Sequence, residues 1–152
     1  MKKIIIGSVM GLTILLFFFF MLRHNNQSLE VKPDVMIPTA EYRVTDSSAP
    51  GLPMLITAEG ADVIKVQATS GNLLLWNPPD YKVHNKGLEL KIKSGDQIYW
   101  SPMDGENKQI DEPQDPKITV MAYHNNKQIG TSFVEIHKNA LGVYTGEISE
   151  VK

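Results

Sequence analysis

The chain has 152 residues, no cysteine, 15 Lys+Arg and 17 Asp+Glu, giving a formal net charge of −2. Without cysteine there are no disulfides, thiol nucleophiles, thiolate zinc sites or iron–sulfur clusters, so any folded part must be held by core packing. The mild acidity argues against nucleic acid as a partner, because neutralising phosphates takes a concentrated basic surface.

Ile4 to Leu22 form 19 mostly apolar residues in which only Ser8 and Thr13 carry polar side chains. As a helix this run reaches roughly 28 Å, close to the hydrocarbon thickness of a bilayer. It is flanked by Lys2 and Lys3 before and Arg23 and His24 after. The run exceeds the usual apolar core of a signal peptide and ends in Phe17–Phe20 with no small-residue cleavage site at the right distance. An uncleaved signal anchor is therefore expected in preference to a cleaved signal with release of the rest. The basic start predicts a short cytoplasmic tail, residues 1–3, and an extracytoplasmic remainder. Gly7 and Gly11, four apart, have the small-residue spacing that lets two membrane helices approach closely, so a homodimer through this helix is a further expectation.

Residues 23–40 lose periodicity and contain Pro33 and Pro38, which predicts a stalk, although part of it can pair as a first edge strand. Residues 41–152 form the expected extracytoplasmic domain. Without Lys2 and Lys3, 13 Lys+Arg face 17 Asp+Glu, a net −4 that argues against a domain lying flat on anionic lipid. Period-2 alternation appears at Asp62–Thr69 (Ile64, Val66, Ala68), at Leu88–Lys93 (Leu88, Leu90, Ile92) and at Lys117–Tyr123 (Ile118, Val120, Ala122), as in half-buried strands. Asn125-Asn126 separates the last of these from Gln128–Ile136, and asparagine accepts the positive φ of a tight hairpin. A last strand is expected over Val143–Ser149. Seven to nine short strands without intervening helices predict an all-β, antiparallel sandwich.

Ser70-Gly71-Asn72-Leu73-Leu74-Leu75-Trp76-Asn77-Pro78 and Ser94-Gly95-Asp96-Gln97-Ile98-Tyr99-Trp100-Ser101-Pro102 match as Ser-Gly-[Asn/Asp]-x-[Leu/Ile]-x-Trp-[Asn/Ser]-Pro, 24 residues apart. Two copies fall short of a solenoid and read as two strands ended by the same device. With its strand count and its hairpin Ile118–Tyr123, Asn125-Asn126, Gln128–Ile136, the region Tyr42–Ile148 resembles the immunoglobulin-like or fibronectin-like domains of bacterial surface proteins. The resemblance implies an Ig-like β-sandwich, and it implies no site residues.

Two clusters carry candidate chemistry. Trp76, Asn77 and Tyr81, with Tyr99 and Trp100, place aromatic rings beside Asn and Asp, the combination with which surface domains anchor protein partners or stack on sugars. Asp104, Glu106, Asp111, Glu112 and Asp115 supply hard oxygen ligands that suit calcium, but not at the spacing of the alternating Asp loop. The four histidines have no metal-ligand spacing and Ser101 lacks a nucleophile elbow, so neither a catalytic residue nor a cofactor is expected. The function expected is a single-pass, membrane-tethered binding or structural module of a bacterial envelope that contacts another protein. The alternatives are a cell-wall glycan-binding domain using the Trp76 and Trp100 loops, and an envelope hydrolase using carboxylates of 104–115.

Overall fold

The computed structural model of the protein describes residues 31–39, 41–45, 48–77, 80–103, 108–109 and 115–149. The expected anchor Ile4–Leu22, with Gly7 and Gly11, lies outside these residues. Among the described residues no helix is long and apolar enough to cross a membrane.

The described residues form ten strands: β1 (Asp34–Met36), β2 (Leu52–Thr57), β3 (Val63–Ala68), β4 (Asn72–Asn77), β5 (Lys82–Gly87), β6 (Glu89–Ile92), β7 (Gln97–Ser101), β8 (Lys117–His124), β9 (Lys127–Lys138) and β10 (Tyr144–Ser149). They build two five-stranded sheets, in the orders β1-β2-β7-β4-β5 (sheet one) and β10-β9-β8-β3-β6 (sheet two). The described residues are all-β and sandwich-like, with antiparallel pairing between the strands of each sheet. The count exceeds the seven to nine expected because β1 falls in the presumed stalk and β5, Lys82–Gly87, has no clean alternation to announce it.

The inner faces meet in one core. Sheet one contributes Leu52, Met54, Ile56, Leu73, Ile98 and Trp100, and sheet two contributes Ile64, Val66, Ile118, Val120, Val134 and Ile136. Each such side chain stabilises by about 1.5–3 kcal/mol on burial, which is how a domain without disulfides stays folded. Trp100 is the largest of them and is completely buried; its Nε1–H donates to the Ser70 carbonyl at 2.9 Å and its ring meets Tyr144 edge-on at 5.3 Å. The β8–β9 turn forms as its asparagines predict, with φ of 49° at Asn125 and 62° at Asn126.

Part of residues 23–40 pairs as a first edge strand, the alternative the sequence left open. Residues 31–39 belong to the folded unit: the Val31 N–H donates to the Ile129 carbonyl on β9 at 2.8 Å, and the buried Ser132 hydroxyl donates to the Pro33 carbonyl at 2.5 Å. The chain then crosses to sheet one, where β1 pairs with β2 and Val35 is buried. Tyr42 bridges back to Tyr144 at the start of β10 through reciprocal backbone hydrogen bonds of 2.9 and 2.8 Å. The segment thus ties the margins of both sheets together. Its lack of periodicity in sequence reflects this crossing, since no single face stays buried along it.

Glycine at position 130 is required by the same contact, because a Cβ built there would lie 1.9 Å from the Val31 carbonyl oxygen. Gly130→Ala is expected to lower unfolding free energy by about 1–3 kcal/mol, the usual cost of forcing atoms into a filled space. Urea unfolding followed by tryptophan fluorescence checks this. An unchanged midpoint would show that residues 31–33 do not lie against β9.

Candidate binding surface

Whether a strand residue points into the core or out of it follows from pairing. In an antiparallel pair, directly opposed residues share a face. β4 and β7, which carry the two copies of the Ser-Gly…Trp motif, are neighbours in sheet one with Leu73 opposite Trp100 and Leu74 opposite Tyr99. Opposed residues here pair an odd with an even number, whereas equivalent positions of the two copies differ by 24. Equivalent residues therefore face opposite ways. Trp100 points into the core and Trp76 points out.

This separates the aromatic residues singled out by sequence. Trp100, 0% exposed, has no ring surface to offer, so its place in the binding cluster is corrected: it is a core residue. Trp76, Tyr81 and Tyr99 come together on the outside of sheet one. The Trp76 ring lies 5.0 Å from Tyr81 and meets Tyr99 edge-on at 5.4 Å. Tyr99 is itself 7% exposed, with its hydroxyl accepting from Gln97 Nε2 at 2.6 Å, so it forms the floor of the cluster. Asn77 ends β4 opposite Lys82.

Tyr81 is the exposed member, at 55%. It sits in the β4–β5 turn at φ 50°, a left-handed conformation that residues of its size seldom take. Neighbouring contacts hold it there. The Trp76 Nε1–H donates to the Tyr81 carbonyl, Asp80 accepts the Lys82 N–H at 3.3 Å, and His84 Nε2 lies 2.9 Å from the same Asp80 carboxylate. A strained backbone that its surroundings over-determine is a mark of a functional position.

Sequence reasoning missed how far this surface extends. Register places Met36, Leu55, Pro53, Tyr99, Leu74, Trp76 and Val83 on the outer face of sheet one. Met36 and Val83 are about half exposed, at 52% and 47%. The signal available was Leu73-Leu74-Leu75-Trp76, four apolar residues without alternation, as in a strand covered on both faces. The outer face of sheet two is different. Lys65 lies over the Tyr123 ring at 4.8 Å and Lys117 over Phe133 at 4.5 Å; Lys117 also pairs with Glu135 at 3.8 Å.

The acidic stretch is not brought into view as a site. Asp104, Glu106, Asp111 and Glu112 lie outside the described residues. The Asp115 carboxylate is 2.5 Å from His137 Nδ1, whose Nε2 is 3.8 Å from Glu147. Among the described residues no three His, Asp or Glu side chains are grouped so as to hold a metal ion. A second polar feature is an open groove of about 480 Å³ beside the β8–β9 turn, lined by Asp62, Val63, Lys65, Tyr123, Asn125 and Asn126. There the Asp62 carboxylate accepts the Asn125 N–H at 2.6 Å and lies 3.2 Å from His124 Nδ1, and the first of these contacts chiefly holds its pKa below the usual carboxylate value.

No protein-family model, curated protein or solved structure matches this chain.

The pKa of Asp80 is likewise lowered, first by the His84 contact and then by the Lys82 N–H. A carboxylate depressed on folding adds stability above its unfolded pKa, and that contribution is lost as pH falls through the folded value. The Tyr81 turn is therefore expected to loosen only below about pH 4, the unfolded aspartate value. Trp76 emission followed on acidification should change there before global unfolding, and Asp80→Asn should remove the early change. An early change that survives in Asp80→Asn would assign it to another group.

Proposed function

We propose that the chain is a membrane-tethered binding module of a bacterial envelope, anchored by Ile4–Leu22, and that a partner protein docks on the outer face of sheet one. The observation that carries this reading is the contrast between the two outer faces. Sheet two mixes Met121, Tyr123 and Phe133 with Lys65, Lys117 and Glu135, and lysines lie over its two rings, whereas sheet one presents Met36, Leu55, Trp76 and Val83 over a buried floor of Leu74 and Tyr99. Aromatic and methionine side chains surrounded by polar residues are the composition of protein–protein contact cores. Scattered apolar residues alone would carry no such meaning.

In finer detail the sandwich is proposed to be Ig-like. The order β1-β2-β7-β4 matches the A-B-E-D sheet of that architecture, and β9-β8-β3 matches its G-F-C sheet. β5, β6 and β10 are then additions at the margins. Fold type of this kind leaves the activity open, so the assignment to binding rests on the surface.

A photo-crosslinking residue at Val83 in the full chain, in intact cells, is expected to capture a discrete polypeptide, while the same residue at Lys91 on the outer face of sheet two captures none. Equal labelling from both positions, or none from either, would remove the protein-docking reading. The glycan alternative makes a different prediction: cell-wall polysaccharide would shift tryptophan emission, and that shift would vanish in Trp76→Phe.

A further inference from the structure

We propose that the β4–β5 turn, with Tyr81 and the Trp76 ring beneath it, rests in the headgroup region of the membrane to which the chain is tethered. The inference depends on the reading of Ile4–Leu22 as an anchor, and three observations carry it from there.

The first is direction. Through the register Asp34↔Thr57, Leu55↔Gln97, Leu74↔Tyr99 and Asn77↔Lys82, the start of β1 and the β4–β5 turn fall at one end of sheet one. Val31, bonded to Ile129 just past the Asn125-Asn126 turn, reaches the domain at that same end. The second is reach. Residues 23–30 are all that separate the apolar run from Val31, and at most about 3.3–3.6 Å per residue this spans no more than roughly 30 Å. The end of the domain that carries the turn is thus kept near the bilayer surface. Four strand spacings of about 4.8 Å separate β1 from β5, so the turn lies well within that radius sideways.

The third is chemistry. Tyrosine and tryptophan prefer the membrane–water interface, where the ring is accommodated and the polar end stays hydrated. Tyr81 is held outward at φ 50° by hydrogen bonds from its own turn, so exposing it costs no further ordering. The turn's carboxylate is already engaged, Asp80 being bound to the Lys82 N–H and beside His84. The tip therefore presents an aromatic ring without an unpaired acidic group, which suits a neutral lipid surface. Seating it would fix the rotation of the domain and turn the outer face of sheet one along the membrane, toward a partner that is itself at the bilayer.

The chain contains two tryptophans, and the buried Trp100 is an internal reference for the other. The full chain is reconstituted in phosphatidylcholine vesicles with and without a headgroup-nitroxide lipid, and flotation establishes that it is membrane-bound. Wild type is expected to lose the Trp76 share of its emission to the nitroxide, while Trp76→Phe, emitting only from Trp100, is quenched little. Tyr81→Ser keeps both tryptophans and is expected to be quenched less than wild type. Equal quenching of wild type and both variants, or none in any, would overturn the placement of the turn. Failure to float with the vesicles would instead overturn the anchor on which the placement rests.

Discussion

The pairing of β4 with β7 is the constraint on which both the core and the candidate surface depend. Because opposed residues of antiparallel strands share a face, setting Leu73 against Trp100 commits Trp100 to the interior, and setting Leu74 against Tyr99 commits Trp76 to the exterior. A slip of one residue would put both rings on the same face. The buried ring is stapled by its Nε1–H to Ser70 and wedged against Tyr144 of the opposite sheet. Gly71 makes that staple feasible. At φ 75°, a Cβ there would lie 2.4 Å from the Ser101 carbonyl oxygen and 2.7 Å from the Trp100 indole nitrogen.

A cysteine-free sandwich must also keep its two sheets from sliding apart, and here the N-terminal segment does what a disulfide does elsewhere. It binds β9 of sheet two at Val31 and Pro33, β2 of sheet one through β1, and β10 of sheet two at Tyr42. The two tyrosines at that last crossing, Tyr42 and Tyr144, have ring centroids 6.4 Å apart, and burial raises the pKa of Tyr42 with Tyr144 adding to it. Gln109 donates to the Tyr144 hydroxyl at 2.9 Å, so one buried ring links the N-terminal segment, the loop after β7 and the core tryptophan.

Much of the fold was legible in the residues. Ile64-Lys65-Val66 and Ile118-Thr119-Val120 alternate because one face of sheet two meets the core and the other meets water, and that asymmetry is written directly into a period of two. The Asn125-Asn126 turn was legible because positive φ is a local demand that few residues meet. β5 was not legible, and β1 only as the alternative to a stalk. Each gains its place from a neighbouring strand, and β5 carries a register shift opposite Leu75 and Trp76 that breaks the pattern a reader would look for.

For the candidate surface, sequence by itself determined the materials: two tryptophans in matching contexts, tyrosines near them, prolines that end the strands, and no cysteine to relieve the core of its task. It determined an all-β domain after the apolar run, since period-2 alternation leaves no helical stripe to bury. Only the tertiary structure decided which tryptophan is core and which is surface, that Tyr81 and Tyr99 join Trp76, and that the turn carrying them shares an end with the start of the chain's first strand. The reason is physical. A residue's type and its local period state that one face must be buried, but which face that is depends on the strand lying opposite, and that strand is contributed by a distant part of the chain.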